Sequence, residues 1–208
     1  IKRNKFVTTF GGEHSISIGT IRAFNECFDD LTVLQIDAHA DLRKSYEGLK
    51  QSHASIMFNS LKNKSISKLV QVGVRDICQE EIDRIAKDDR IKTYFDWDLK
   101  EEQFNGVLWK RQVEKIISDL PSNVYVSFDI DGLKPSLCPN TGTPVPGGLT
   151  FEQVRYLLLE LAKSKKKIIG FDLCEVGVGK NDFDSNVGAR ILWELCTMVK
   201  INRQKVSE

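Results

Sequence analysis

Residues 31–43 read LTVLQIDAHADLR, and this stretch indicates both a fold and a chemistry. Its first half is apolar almost throughout, which is typical of a strand buried on both faces of a parallel sheet. Its second half places Asp37, His39 and Asp41 two residues apart. Alternate side chains of extended backbone point the same way, so we expect these three to share one face at the end of the strand.

Other strand-like runs alternate with helix-period stretches along the chain. The predicted strands are 5–10, 31–37, 68–74, 91–95, 123–129 and 168–175. The predicted helices are 15–28, 53–61, 80–87, 109–120, 150–163 and 184–200. This alternation predicts an α/β fold, namely a three-layer α/β/α domain with a mainly parallel sheet. Two long connections, 42–52 and 132–149, lack helical periodicity, and loops of that length are usually functional.

Composition restricts the class of protein. A chain of 208 residues, 41% hydrophobic and 28% charged, is typical of one soluble globular domain. Thirty basic and 29 acidic side chains leave a net charge of +1, which favours neither nucleic acid nor an anionic membrane as a partner. A small molecule is the expected partner. The five cysteines form no CxxC pair, which fits a reduced cytoplasm.

Carboxylates and histidines gather where four of the predicted strands end. They are His14, Asp37, His39, Asp41, Asp129, Asp131 and Glu175. In an open parallel sheet, ligands bind at the carboxyl ends of the strands. A single strand-end Asp is more often a helix cap or turn former, but so many carboxylates together would repel one another without cations. We therefore expect a metal site there. A nucleotide-binding site is disfavoured because no GxGxxG follows any strand.

Four ordered segments carry a family resemblance: GGEHSISIG (11–19), DAHADLR (37–43), SFDIDGLKPSLCPNTGTPVPGG (127–148) and FDLCEV (171–176). In order and spacing they resemble the arginase, agmatinase and formimidoylglutamase (ureohydrolase) family. The resemblance covers nearly the whole chain. It implies an arginase/deacetylase-like fold and one ureohydrolase domain over residues 1–208 that lacks the family's N-terminal strand-and-helix stretch. It also implies a homo-oligomer, a trimer or hexamer.

The resemblance further implies two Mn²⁺ ions and a role for each site residue. One ion would be held by His14, Asp37, Asp41 and Asp129. The second would be held by Asp37, His39, Asp129 and Asp131. Oxygen-rich shells with one imidazole each suit Mn²⁺. The remaining roles are guanidinium binding by Glu175, proton exchange by His53, pocket lining by Thr143 and proton transfer by Asp41.

The implied reaction is hydrolysis of a small cationic guanidino compound to an amine and urea. Arg43 stands where an arginase would offer a small amide or hydroxyl, so agmatine, giving putrescine and urea, is the first candidate substrate. Arginine ranks second, and other guanidino acids or formimidoylglutamate rank third. The alternative of another class is a catalytically impaired family member that acts as a metal-binding scaffold or subunit. Lys134 for the Asp of LDP, Gly177 after the EV segment and the missing N-terminal stretch bear on this alternative, whereas Glu13 for Asp is a mild departure from the family pattern.

Overall fold

The protein folds around one six-stranded sheet. The structure, a computed structural model, describes Ile1 and residues 5–206. The strands are β1 (Val7–Phe10), β2 (Leu31–Ile36), β3 (Ile66–Val74), β4 (Ile91–Phe95), β5 (Asn123–Asp129) and β6 (Lys167–Cys174). Their order is β1-β6-β5-β2-β3-β4, and every neighbouring pair is parallel. The predicted parallel α/β sheet is therefore confirmed.

Seven α-helices lie among the described residues. They are α1 (Ile16–Asn25), α2 (Ile56–Ser60), α3 (Gln79–Lys87), α4 (Asp96–Phe104), α5 (Trp109–Ser118), α6 (Phe151–Lys163) and α7 (Phe183–Val206). The prediction of one helix over 53–61 is partly wrong, because His53–Ser55 form a 3-10 turn before α2 begins. Helix α4 has no counterpart among the predicted helices.

Helices cover both faces of the sheet, which gives the expected three layers. On one face α1 and α2 contribute buried side chains such as Phe24 and Met57. On the other face α6 and α7 contribute Leu157 and Ile191, which are fully buried. Each such side chain stabilises the fold by about 1.5–3 kcal/mol on leaving water. All six residues of β2, between the two layers, are buried.

The start of α6 shows how local sequence sets the boundary of an element. Thr150 Oγ1 accepts from the backbone N–H of Gln153 at 3.1 Å, and Gln153 Oε1 accepts from the N–H of Thr150 at 2.9 Å. This reciprocal capping box satisfies two N–H groups that the helix itself cannot. It fixes where the loop 132–149 ends, and so helps to hold that loop against the carboxyl edge of the sheet.

Candidate metal centre

The carboxyl ends of four adjacent strands, β1, β6, β5 and β2, meet at one edge of the sheet. Asp37 directly follows β2, Asp129 is the last residue of β5, and Glu175 directly follows β6. His14 follows β1 after two glycines, Gly11 and Gly12, whose φ angles are +141° and +25°. This turn allows the chain to bring the His14 ring back over the edge.

His14 faces three carboxylates through a nitrogen that makes no hydrogen bond. Its Nδ1 lies 3.2 Å from Asp37 Oδ2, 3.2 Å from Asp41 Oδ2 and 3.3 Å from Asp129 Oδ2. The side chain is 1% exposed, yet Nδ1 has no hydrogen-bond partner among the described residues. A buried polar atom without a partner is costly, and here it points to the space between three anionic oxygens. That arrangement fits a divalent cation.

A second group lies beside the first and shares Asp37 with it. His39 Nδ1 is 3.1 Å from Asp131 Oδ2 and 3.5 Å from Asp37 Oδ1. Asp37 therefore directs one oxygen to each imidazole, as a bridging ligand would. Asp129 directs Oδ2 to the His14 group, while its Oδ1 accepts from the N–H of Asp131 at 2.9 Å.

The electrostatics of these groups reflect crowded negative charge. Burial alone would lower the pKa of His39, but Asp131 and Asp37 outweigh it and raise that pKa to about 11. Burial, followed by the charge of Asp37, raises the pKa of Asp41 well above its ordinary value. Burial and the charges of Asp131 and Asp37 likewise raise the pKa of Asp129 above its ordinary value. Without a cation, the neighbouring carboxylates therefore favour a proton on His39, which a bound cation would replace.

Ser127 and Asp172 orient the His14 ring from below. Ser127 Oγ donates to Asp172 Oδ1 at 3.0 Å and lies 2.9 Å from His14 Nε2. Because the Ser127 hydrogen is directed to Asp172, its oxygen accepts from Nε2–H of His14. The neutral ring then keeps the lone pair of Nδ1 for the carboxylate-lined space, which is the tautomer that a metal ligand needs.

Glu175 stands next to the His14 group in a left-handed backbone conformation, with φ +61°. Its Oε1 accepts from the backbone N–H of His14 at 2.8 Å, and its own N–H donates to the carbonyl of Gly12 at 3.0 Å. Thr141 Oγ1 donates to the carbonyl of Glu175 at 2.8 Å. Burial raises the pKa of Glu175, although the N–H of His14 opposes this shift.

His53 and Thr143 occupy different parts of the site. His53 is half-exposed at the rim, where its Nδ1 lies 3.5 Å from Glu13 Oε2 and its ring meets the edge of Tyr46 at 5.3 Å between centroids. Thr143 is closer to the centre, and its Oγ1 donates to Asp131 Oδ2 at 3.2 Å. The structure thus brings all six expected metal ligands together, with Glu175 and Thr143 beside them and His53 at the entrance.

Several residues that support the site were missed by sequence reasoning. Arg75 donates to the carbonyls of Asp131, Leu133 and Val145 at 2.7, 3.0 and 3.0 Å, which fastens the loop 132–149 beside the centre. Ser127 and Asp172 were also missed, as were Gln35 on β2 and Gln71 on β3. The sequence feature that could have identified the strand residues among them is a polar side chain near the end of an otherwise apolar strand.

The sheet and these side chains define a class: an α/β protein whose carboxyl edge carries two adjacent metal-capable groups joined through Asp37.

Within the described part of the chain, no helix has the length and apolar character needed to cross a membrane.

Comparison with known proteins gives the family. The sequence pattern of the Arginase family matches residues 1–197. The N(1)-aminopropylagmatine ureohydrolase of Thermus thermophilus is 34% identical over 176 residues, covering 85% of this chain and 56% of that protein. The hepatic arginase of Aquarana catesbeiana is 33% identical over 180 residues, covering 77% and 55%. The agmatine ureohydrolase structure of Thermoplasma volcanium has a TM-score of 0.80 at 28% identity, covering 98% and 66%.

The chain belongs to the arginase family. It spans less than two thirds of the length of the curated relatives it matches, with 66% and 56% for the first two.

Proposed function

We propose that this chain is a manganese-dependent ureohydrolase that converts a guanidino compound to an amine and urea. The observation that carries the proposal is the unbonded Nδ1 of buried His14 between three carboxylate oxygens, beside a second imidazole group that shares Asp37. Named relatives of the arginase family that act on guanidino compounds support the same reading.

The donor set suits two Mn²⁺ ions. The six proposed ligands are His14, Asp37, His39, Asp41, Asp129 and Asp131. Their four carboxylates balance two divalent charges, and one imidazole for each ion fits Mn²⁺ better than a thiolate-rich site would. When bound, the ions supply a water of strongly lowered pKa at neutral pH.

Glu175 is the proposed recognition group for the guanidinium. Its carboxylate is already aimed by the N–H of His14, so it can form charge-assisted hydrogen bonds without reorganising. Thr143, which donates to Asp131, lines the same side of the site. Glu13 adds a further carboxylate at the rim, and negative charge there favours a cationic substrate.

Proton transfer completes the proposed reaction. Water adds to the guanidinium carbon, the bond from that carbon to the substituted nitrogen breaks, and this nitrogen gains the two protons that the water loses. Asp41, facing the centre, is the proposed first acceptor of a proton and passes it towards the leaving amine. His53, half-exposed beside Glu13, exchanges protons with solvent.

Agmatine is the proposed substrate, with arginine second and other guanidino acids or formimidoylglutamate third. The guanidinium of Arg43 lies over the ring of Tyr46 at 5.3 Å, and its Nε is 3.6 Å from Glu81. Its charge is therefore engaged by Tyr46 and Glu81, which leaves it less available to the α-carboxylate of arginine. N(1)-aminopropylagmatine, which carries an additional amine, is included because a relative is named for it.

The test is urea release by the purified chain, with and without Mn²⁺, from agmatine, N(1)-aminopropylagmatine and arginine. We expect manganese-dependent release, fastest from agmatine. Asp129→Asn, which keeps the side-chain volume but removes a ligand charge, should lower kcat/KM by about a hundredfold or more, since metal catalysis contributes several kcal/mol. Tight Mn²⁺ binding without urea from any substrate would favour the scaffold alternative instead.

A further inference from the structure

A row of polar side chains crosses the whole sheet just beneath the metal centre. Its members, each paired in register with the next strand's member, are Thr9, Asp172, Ser127, Gln35, Gln71 and Thr93. We call it the polar row. Its Asp172–Ser127 arm orients His14, as described above. The other arm, Gln35–Gln71–Thr93, runs from the centre towards β4 and does not contact His14 through Ser127.

The Gln35 amide touches the two carboxylates that face His14. Gln35 Nε2 donates to Asp37 Oδ2 at 2.8 Å and to Asp41 Oδ2 at 3.2 Å. These are the same two oxygens that lie 3.2 Å from His14 Nδ1. A third, longer bond runs from Gln35 Nε2 to the backbone carbonyl of His39 at 3.3 Å. Gln35 is 0% exposed, so water does not compete for these bonds. One side chain therefore sets the separation and direction of two oxygens in the His14 group.

The arm has a fixed donor-to-acceptor direction. Gln71 Nε2 donates to Gln35 Oε1 at 2.6 Å and to the carbonyl of Ala40 at 2.7 Å. A carbonyl only accepts, so the amide nitrogen of Gln71 must face it, and Gln35 must turn its oxygen to Gln71. Thr93 Oγ1 donates to Gln71 Oε1 at 2.8 Å and satisfies the remaining acceptor. The N–H₂ group of Gln35 is thereby the end directed to the carboxylates.

The opposite orientation would place an amide oxygen against two carboxylates that already repel each other. Two N–H bonds from Gln35 instead hold the carboxylate oxygens of Asp37 and Asp41 in the convergent arrangement that a cation needs.

We propose that Gln71, acting through Gln35, is a positioning residue that sets the cation affinity of the His14 group more strongly than that of the His39 group. The inference rests on the proposed function, because it assumes that the centre binds divalent cations. Groups that orient metal ligands in this way contribute about 10–100-fold to metal affinity.

The experiment is a Mn²⁺ titration of the metal-free chain, with free Mn²⁺ followed by electron paramagnetic resonance. For Gln71→Met, which keeps the side-chain length but removes its three hydrogen bonds, we expect one of two dissociation constants to rise about tenfold or more. The other should rise by clearly less, because the two shorter Gln35 bonds go to the oxygens that face His14. This site-selective loss would not follow from general loosening of the fold.

Gln112→Met is the matched control. Gln112 is 1% exposed and also makes three hydrogen bonds, to Leu99, Glu102 and Gln103, but it lies in α5 away from the centre. It should leave both dissociation constants unchanged. If Gln71→Met does not fold, Thr93→Val replaces it, with the same selective weakening expected and recovery in Thr93→Ser.

Four outcomes count against the inference. Wild-type affinity at both sites in folded Gln71→Met would overturn it, and so would equal weakening of both sites in that variant or in the Gln112→Met control. A wild-type chain that binds no Mn²⁺ would instead overturn the proposed function, and the inference with it. Two wild-type sites, one of them weakened clearly more than the other in Gln71→Met, would support both.

Discussion

At the scale of single residues, two residues of the proposed site adopt a backbone conformation that residues other than glycine usually avoid. Asp41 and Glu175 have φ angles of +54° and +61°. Such conformations cost about 1–3 kcal/mol each and persist only where surrounding contacts impose them. For Glu175 these contacts are hydrogen bonds to Gly12, His14 and Thr141. The strain is therefore offset by two bonds that fix the Glu175 backbone and one, from His14, that orients its carboxylate.

The first prediction at this scale concerns Glu175→Gln. The glutamine retains an oxygen that can accept from the N–H of His14, so fold and Mn²⁺ affinity should be preserved. It loses the negative charge that faces the guanidinium, and charged hydrogen bonds exceed neutral ones by about 1–2 kcal/mol each. We expect kcat/KM for agmatine to fall by about 10–100-fold, measured by urea release.

The control for this prediction is Glu47→Gln. Glu47 is another glutamate with a positive φ, +48°, but it is exposed on the loop 42–52. The same substitution there should leave kcat/KM near the wild-type value. Unchanged catalysis in Glu175→Gln, with full metal loading, would remove Glu175 from the proposed recognition role.

At the scale of elements, the turn after β6 is packed directly against the loop 132–149. A Cβ on Gly177 would overlap the backbone carbonyl of Asn140. Asn140 is itself fixed to the start of α7, because its N–H and its Nδ2 each donate to Asp184 at 2.8 Å. The glycine that departs from the family pattern thus permits close contact between the Glu175 turn and this loop.

Gly177→Ala tests that contact. Because the obstructing atom is backbone, the turn or the loop must shift, and overpacking of this kind costs about 1–3 kcal/mol of unfolding free energy. We expect a matching loss in chemical denaturation and a lower kcat/KM for agmatine. Gly19→Ala is the control: no heavy atom lies within 4 Å of its added Cβ, and in α1 it should add about 0.5–1 kcal/mol. An unaffected Gly177→Ala would mean that the contact is not required.

The elements that sequence patterns predicted are those with a clear buried face. The capping box and apolar repeat of α6 mark that helix, and continuous apolar runs mark the strands. Helix α4 gave no such signal, because only Asp96 and Leu99 are buried, while its aromatic residues Trp97 and Phe104 are 65% and 78% exposed. Its apolar side chains therefore do not repeat on the core side.

The residues of the proposed site also divide into those that the sequence could predict and those that it could not. The metal-capable residues could be expected near one another because carboxyl ends of parallel strands share an edge. The polar row could not, because it depends on which strands pair and in what register. Gln35 and Gln71 are 36 residues apart and meet only because β2 pairs with β3 in one particular alignment.

At the scale of the whole molecule, the strand order concentrates negative charge at one edge. β1, β6, β5 and β2 lie side by side, so their terminal residues converge in a small volume. Burial and neighbouring carboxylates raise the pKa values of Asp41 and Asp129, which shows that ionising them together is unfavourable without a cation. The metal-free fold therefore carries an electrostatic cost that bound cations would relieve.

The final prediction is that Mn²⁺ raises the unfolding temperature of the whole chain. Each site filled at a hundred times its dissociation constant adds about 2.7 kcal/mol, provided that the unfolded chain does not bind the ion. Two sites in a domain of this size correspond to a rise of roughly 10–20 °C. Calorimetry with and without a chelator measures it.

Asp37→Asn separates a specific effect from a general one. Asp37 directs one oxygen to each imidazole, so its loss weakens both groups at once and should abolish most of the thermal shift. Asp76→Asn, on an exposed carboxylate 3.7 Å from the outer nitrogen of His39, should retain it. A shift of equal size in Asp37→Asn would mean that Mn²⁺ stabilises the protein elsewhere, because a centre that shares this carboxylate cannot bind both ions tightly without it.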